Sequence, residues 1–274
     1  TPSRRAAAVE RIALLAAQRA DDGKPVVPLA DPASWWGVLP RTEGVRPVRD
    51  PERPVALSGS GLDGILDCSL KWFLEHEVHA ETPRPPATRF GSIVHAVADF
   101  VAKGEVAADL ADMDLEVDRV WSELRFEAAW QSEAERREAH AALSRFLTYH
   151  VRQDRDLVDT EASVTATVTV PIPGGGDEEV HLRGYIDRVE RDGQGRLVPI
   201  DLKNMRTAPP DRSIPDHGQL GVYQLLVREG GLASEPDASV GGAALVQLRV
   251  GVAMSVDEPK VQFQDALPEN RPTW

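Results

Sequence analysis

Residues 184–203, Gly-Tyr-Ile-Asp-Arg-Val-Glu-Arg-Asp-Gly-Gln-Gly-Arg-Leu-Val-Pro-Ile-Asp-Leu-Lys, are the stretch of sequence on which the interpretation of the fold depends. Two short runs flank the Asp-Gly-Gln-Gly segment at 192–195, a pattern typical of two strands joined by a turn. Side chains alternate between faces along a strand, so Asp201 and Lys203 share one face of the second strand. Pairing of the two strands would bring Asp187 of the first strand toward Asp201.

A pair of neighbouring carboxylates at this place has a chemical consequence. The two groups repel each other, and one takes up a proton unless a cation lies between them. A hard divalent ion such as Mg²⁺ fits, because it prefers oxygen ligands and keeps several waters. The adjacent Lys203 would then polarise a water or stabilise a developing negative charge. The alternative is a surface β-ribbon with scattered charges, but Lys203 ends a mostly apolar run, where a charge is costly unless it is paired or used.

Length, charge and cysteine content bound the possible functions. The chain has 274 residues, enough for one large domain or one domain with an appendage. Its one cysteine, Cys68, excludes an internal disulfide and a four-cysteine metal site. We expect Cys68 to be a buried apolar residue, and the chain to lie in a reducing cytoplasm without a membrane span. The formal net charge of −13 opposes a free-standing nucleic-acid-binding domain, but not a local basic groove or a partner that supplies one.

The first 56 residues differ in character from the rest. Residues 4–21 have a helical period, and a Pro-rich stretch follows. Within that stretch we expect a helical turn with Asp31 as its N-cap and a Trp pair that anchors the segment. We interpret residues 1–56 as a helical tail and linker, and residues 57–274 as the main domain. The chain starts without Met, so we expect a fragment or a processed product.

The main domain alternates between helical and strand patterns. We expect Ser60 to cap a helix over 62–76, and a polar tail to close the chain after residue 250. Further helices are predicted at 90–103, 113–130, 132–154 and 215–229, and strands at 159–172, 179–190, 196–203 and 241–250. This order predicts an α+β fold with a mixed central sheet flanked by helices.

Two of these helices carry polar pairs one turn apart. His95 and Asp99 lie on one face of the helix at 90–103. Asp99 could accept a hydrogen bond from one imidazole nitrogen and leave the other for a metal; the alternative is an ordinary packed or solvated histidine. Gln219 and Tyr223 share a face of the last helix, for which the alternative is ordinary helix surface.

The order of these signals resembles a known module. Gly-x-x-x-His, Gly-x-x-Asp-Arg, Asp-x-Lys and Gln-x-x-x-Tyr follow one another as in the RecB-type nuclease module of the PD-(D/E)XK superfamily, over roughly residues 57–250. The resemblance implies a restriction-endonuclease-like core that hydrolyses phosphodiester bonds with Mg²⁺ or Mn²⁺. It implies no iron–sulfur cluster, since the three other cysteines are missing. The residues that it assigns are His95, Asp187, Asp201 and the Leu202 carbonyl as metal ligands, Lys203 as the catalytic lysine with Asp187 and Asp201, and Gln219 and Tyr223 as DNA-binding or orienting residues. Asn204-Met205 departs from the Thr-Gly that often follows Asp-x-Lys.

The segment before residue 57 is similar to the linker of helicase–nuclease subunits of the actinobacterial AdnAB type, related to AddAB and RecBCD. This implies a motor domain that uses ATP, a partner subunit, and DNA ends and single strands as substrates in double-strand break repair by recombination. Which subunit this is, and the polarity of cleavage, stay open. Two alternatives also stay open: a nuclease-like module that binds DNA or its partner subunit without cutting, and a purely structural α+β domain in which the motif residues do not converge.

Overall fold

The computed structural model describes residues 2–35, 44, 47–50, 52–80, 89–124, 126, 128–253 and 255–268. The chain divides into two compact units, Thr1–Val48 and Arg49–Trp274. Among the described residues, no helix is both long enough and apolar enough to cross a membrane.

The first unit is a helix followed by two short turns. Helix α1 spans Pro2–Ala17 and so ends earlier than predicted. Of the two 3₁₀ turns, Pro28–Ala30 and Pro32–Ser34, the second begins as predicted, because the Asp31 side chain accepts a hydrogen bond from the Ala33 amide at 3.0 Å. The predicted Trp pair lies only partly within the described residues, since Trp36 is outside them.

The second unit contains five helices and six strands among its described residues. Strands β1, β3, β4, β5 and β6 follow one another in a mixed sheet, and β2 pairs with β3, which confirms the predicted α+β architecture. Two strands were not predicted: β1 lies at the end of the expected linker, and β6 replaces the expected polar tail, which was wrong. The elements in chain order are β1 Val55–Leu57, α2 Gly59–His76, α3 Arg89–Ala102, α4 Leu110–Trp121, α5 Ala129–Arg152, β2 Asp156–Pro171, β3 Asp177–Arg191, β4 Leu197–Lys203, α6 Gly218–Arg228, β5 Ala243–Val252 and β6 Ser255–Gln264.

Helix α2 begins earlier than the sequence suggested. Its N-cap is Ser58, whose hydroxyl accepts a hydrogen bond from the Gly61 amide at 3.0 Å, so the prediction of Ser60 as the cap was wrong. Such a cap contributes about 1 kcal/mol to helix stability. The helix is interrupted at Cys68, which has non-helical φ and ψ angles of −159° and 100°. Cys68 is exposed, contrary to the expectation of a buried position.

Strand β3 organises the sheet because its two edges are used differently. Along one edge it pairs with β2 over its whole length in an antiparallel hairpin. On the other edge, β1 pairs in parallel with residues 180–182, and β4 pairs antiparallel with residues 188–191. Among the described strands, none pairs with residues 183–187 on this second edge. We call these five residues the β3 gap.

Helices cover both faces of the sheet and form two hydrophobic clusters. Helices α3, α4 and α5 pack on one face against residues such as Ile200 and Val246. Helix α6 packs on the other face against β2 and β3, and its residues Gly218–Val227 are all buried. Full burial of each Leu or Val side chain in these clusters contributes about 1.5–3 kcal/mol.

The arginine of the Gly-x-x-Asp-Arg motif belongs to a buried ion network. Arg188 is 2% exposed, and its Nε lies 2.5 Å from Oε1 of Glu190, which is fully buried. Glu190 also accepts hydrogen bonds from the Tyr149 hydroxyl at 3.0–3.1 Å and from Arg155 Nε at 2.8 Å. Buried charges are tolerated when paired in this way. Arg188 therefore ties the end of β3 to α5.

Candidate active site

The β3–β4 hairpin brings the two motif aspartates together, as predicted. Arg188 and Ile200 form the last register pair of the hairpin, so Asp187 and Asp201 lie one residue beyond its end on the two strands. The Leu202 amide donates a hydrogen bond to Asp187 Oδ2 at 2.6 Å, which fixes the Asp187 carboxylate against β4. Asp187 also belongs to the β3 gap, where the sheet opens.

His95 reaches this place from helix α3. Its Nδ1 lies 3.4 Å from Asp187 Oδ1. Burial disfavours the charged imidazole, but the hydrogen bond and the negative charge of Asp187 outweigh it and raise the pKa of His95. Leu202 lines the same small pocket, while the role of its carbonyl as a ligand stays a prediction.

Asp99 takes part in the pocket in a different way from the one predicted. Its Oδ1 accepts a hydrogen bond from the Thr160 hydroxyl at 2.6 Å, and its Oδ2 accepts one from Lys103 at 2.7 Å. His95 faces Asp187 instead of Asp99. Asp99 therefore supports the pocket wall through Thr160 and Lys103, and not through the predicted bond to the imidazole.

Glu161 is a site residue that the sequence did not reveal. One ligand atom from each of His95, Glu161 and Asp187 lies within 4.8 Å of the others, a spacing that suits a metal ion. Glu161 stands opposite Asp187, between the register pairs Thr160–Arg188 and Ala162–Ile186. Its φ of +48° is unusual for a residue other than glycine, and such strain costs about 1–3 kcal/mol. Burial, and next the charge of Asp187, raise the pKa of the Glu161 carboxyl.

Asp201, Lys203, Gln219 and Tyr223 form a second group, which we call the polar network. Lys203 Nζ lies 2.8 Å from Asp201 Oδ2 and donates to Gln219 Oε1 at 2.7 Å. Gln219 Nε2 donates to Asp201 Oδ1 at 2.8 Å and lies 2.7 Å from the Tyr223 hydroxyl. That hydroxyl donates to the Tyr185 carbonyl in the β3 gap at 2.9 Å. The Gln-x-x-x-Tyr motif thus connects helix α6 to both motif strands.

The Asp201 carboxylate is the most buried of the acidic groups in the site. It is 4% exposed, and burial raises the pKa of Asp201 to about 6, against the opposing charge of Lys203. Its Oδ2 forms an ion pair with Lys203 at 2.8 Å. A buried carboxylate next to further carboxylates and an imidazole is a donor set that Mg²⁺ or Mn²⁺ would accept.

Close packing between α2, α6 and β3 holds the polar network in place. A Cβ atom on Gly184 would lie 3.1 Å from Tyr223 Cε1, and one on Gly59 would lie 2.9 Å from Gln219 Cγ. The backbone N–H of Gln219 also donates to Asp63 Oδ1 at 3.2 Å. Gly184, the first residue of the Gly-x-x-Asp-Arg motif, must therefore be small, because the Tyr223 ring of another motif packs against it. The alternative of a structural domain, which predicted that the motif residues would not converge, is contradicted by these distances.

Similarity to known proteins identifies the family of this chain. A region of a bacterial protein, an ATP-dependent helicase/deoxyribonuclease subunit of Streptococcus uberis, is 24% identical over 166 residues, which cover 57% of this chain and 14% of that protein. The solved structure of SSO0001 aligns with 75% of this chain and 80% of its own, at 16% identity and a TM-score of 0.27. A family model described as the PD-(D/E)XK nuclease superfamily matches residues 56–274. Because this last match covers most of the chain and confirms the predicted resemblance, the chain belongs to the PD-(D/E)XK nuclease superfamily.

Proposed function

We propose that this chain is a divalent-metal-dependent deoxyribonuclease that hydrolyses phosphodiester bonds. The observation that carries the proposal is the convergence of ligand atoms from His95, Glu161 and Asp187 within 4.8 Å of one another. The buried Asp201 carboxylate adjoins Asp187 on the next strand and is held by Lys203 and Gln219. Carboxylates gathered in this way are costly unless a cation or protons compensate their charge.

The residues that would hold Mg²⁺ or Mn²⁺ are those that converge at the β3 gap. Three of them, His95, Glu161 and Asp187, have ligand atoms within 4.8 Å of one another, and we add Asp201 and the Leu202 carbonyl from the adjoining end of β4. When bound, such an ion lowers the pKa of a water and offsets negative charge on the scissile phosphate. Members of the superfamily use divalent metals, which supports this assignment.

Lys203 acts on the water and phosphate from the side of the polar network. Its ammonium is fixed by two partners, Asp201 Oδ2 at 2.8 Å and Gln219 Oε1 at 2.7 Å. A preorganised positive charge stabilises the charge that develops on phosphate oxygens, and it orients or helps to deprotonate the attacking water. Tyr223 acts through Gln219 and is a positioning residue. No covalent enzyme intermediate is required.

The bacterial relative suggests a biological setting for this chemistry. Its name describes a component of an ATP-dependent helicase/deoxyribonuclease, and this chain corresponds to a small part of it. We place the chain in a similar assembly in the bacterial cytoplasm, with an ATP-driven motor domain that precedes it, a partner subunit, and DNA ends as the substrate in recombinational repair. The net charge of −13 fits an arrangement in which the motor and partner supply the basic DNA contacts and deliver a single strand.

A second function is a nuclease-like module that binds DNA or its partner subunit without cutting, and the net charge of −13 favours the partner subunit over DNA as what it binds. A scaffold, however, has no need for two neighbouring carboxylates beside a fixed lysine. Retention of the complete set of motif residues therefore favours the enzyme.

Cleavage of a labelled single strand in Mn²⁺ tests the proposal. We expect the parent chain to cut, the Asp201→Ala variant to lose cutting, and the Asp118→Ala variant to behave as the parent. Asp118 is a matched control because its 60% exposed carboxylate pairs with Arg136 on the surface, away from the motif residues. An Asp201→Ala variant that is folded and still cuts at the parent rate would overturn the assignment. If neither the parent nor the full helicase–nuclease assembly cuts, the second function, a module that binds without cutting, is correct.

A further inference from the structure

A cleft of about 560 Å³ opens between the start of α5, the loop after β4 and strand β5. Its volume lies within the range of small-molecule binding sites. The residues that line it are Trp130, Gln131, Ala134, Glu135, Glu138, Arg206 and Arg249. None of them belongs to the motifs of the nuclease site, and we call this opening the Trp130 cleft.

The chain topology places the Trp130 cleft next to Lys203. Arg206 follows Lys203 by three residues, so their Cα atoms are at most about 11 Å apart. On the neighbouring parallel strand, Gln247 pairs with Lys203, and Arg249 follows two residues later. The carboxyl ends of β4 and β5 thus carry the catalytic lysine and both arginines of the cleft at one end of the sheet. A strand of DNA held at Lys203 would reach the cleft within a few nucleotides.

Of the two arginines that contact Glu135 in the cleft, one can break its ion pair. Glu135 has 11% of its side chain exposed, and each of its oxygens contacts an arginine: Oε1 contacts Arg206 at 2.7 Å, and Oε2 contacts Arg249 at 3.1 Å. Arg249 is 9% exposed and also contacts Glu138, whereas Arg206 is 76% exposed. An ion pair with so exposed a partner contributes little to stability. Arg206 can therefore turn to another anion while Arg249 continues to neutralise the buried Glu135.

Trp130 supplies the apolar surface of the cleft. It is the second residue of α5 and is 73% exposed, so most of the indole surface is accessible. An exposed indole beside an exposed guanidinium offers the two contacts that a single-stranded nucleic acid uses, namely stacking of a base and pairing with a phosphate. Neither contact requires a particular base.

We propose that the Trp130 cleft is a subsite for single-stranded DNA, in which a base stacks on Trp130 and Arg206 exchanges Glu135 for a backbone phosphate. The inference rests on the proposed function, because it states where the strand that is cut continues beyond Lys203. The chain itself would then contact DNA, although its acidic net charge alone does not indicate this.

Binding of a labelled single strand, measured by fluorescence anisotropy in EDTA so that nothing is cut, tests the subsite. We compare a strand that carries bases with an abasic strand of the same length. The Trp130→Ala variant should lose roughly 5- to 150-fold in affinity for the strand with bases and little for the abasic strand. Trp130→Phe should retain most of the affinity. Trp35→Ala, which removes a 41% exposed tryptophan from the first unit, is the matched control and should bind as the parent.

Arg206 provides a second, independent readout. Arg206→Ala should weaken binding of both strands equally and reduce the slope of log affinity against log salt by about one. Both Trp130 and Arg206 are exposed, so the variants should keep the circular dichroism and unfolding temperature of the parent. If Trp130→Ala binds the strand with bases as tightly as the parent, or if the parent binds neither strand, the subsite is wrong, whether or not the chain cuts DNA. If the chain binds the strand with bases through Trp130 but never cuts DNA, the proposed subsite is correct and the proposed nuclease activity is wrong.

Discussion

Replacement of Gln219 by leucine separates the electrostatics of the polar network from its packing. The side chain is 8% exposed, and leucine is of similar size, so the space stays filled. What is lost is the hydrogen bond from Nε2 to Asp201 Oδ1 at 2.8 Å and the acceptor for Lys203 at 2.7 Å. The nearest remaining donor to that Asp201 oxygen is the Tyr223 hydroxyl, at 3.5 Å. The ionised form of Asp201 therefore loses its best neutral partner.

The size of the effect follows from the value of one hydrogen bond to a charged group. Such a bond contributes about 1.5–3 kcal/mol, and 1.36 kcal/mol corresponds to one pKa unit, so the pKa of Asp201 should rise by about 1–2 units. It starts at about 6, because the carboxylate is buried. A raised pKa means that the protonated, metal-incompetent form persists to higher pH. Metal affinity, which falls in the parent as pH drops below about 6, should fall in the variant already below roughly 7–8.

Titration calorimetry with Mn²⁺ across this pH range measures the midpoint directly. Gln224→Leu is the matched control: Gln224 is buried one turn further along α6, but its Nε2 donates to Gln264 at 2.9 Å, away from the site. It should lower the free energy of unfolding without moving the midpoint of metal binding. A Gln219→Leu midpoint that coincides with that of the parent would show that Gln219 does not stabilise the ionised carboxylate, and the electrostatic argument would be wrong.

Three further substitutions test other parts of the structure. Glu161→Gln should lower Mn²⁺ affinity by roughly tenfold or more in the same calorimetric assay, because it removes a charged ligand; unchanged affinity would exclude Glu161 from the site. Glu190→Ala should cost about 3–5 kcal/mol in urea unfolding, because Arg188 is left buried without its partner, whereas Glu116→Ala, which breaks an ion pair with the exposed Arg119, should cost less than about 1 kcal/mol. Gly184→Ala should cost about 1–3 kcal/mol and slow cleavage, since its Cβ would press on the Tyr223 ring; full activity at full stability would contradict this packing.

Local patterns were sufficient to predict much of the site. The approach of Asp187 and Asp201 follows from the turn at 192–195 and from strand alternation, both of which act over a few residues. The common face of Gln219 and Tyr223 follows from helical spacing, and the structure joins them through a hydrogen bond of 2.7 Å. His95 required the order of motifs along the chain, because no local rule connects α3 to the hairpin.

Long-range register explains what the sequence could not show. Glu161 belongs to an alternating strand pattern, and its role arises only from its position opposite Asp187 and from a positive φ. Strand β6, which was predicted as a polar tail, contains two glutamines. Those glutamines, Gln262 and Gln264, are buried and bond to residues on β5, α6 and neighbouring loops. A buried amide that is satisfied by distant partners has the same appearance in a sequence as an exposed one.

Burial and the charges around the β3 gap together explain why several pKa values rise. Lys103 pairs with Asp99 and Lys203 pairs with Asp201, so the carboxylates of Glu161 and Asp187 leave two excess negative charges when His95 is neutral. Without an ion, protons are the available compensation, and the pKa values of His95, Glu161 and Asp201 are all raised. A divalent cation supplies the same compensation without protonating its own ligands. The two excess negative charges therefore suit the proposed divalent metal ion, which would compensate both of them at once.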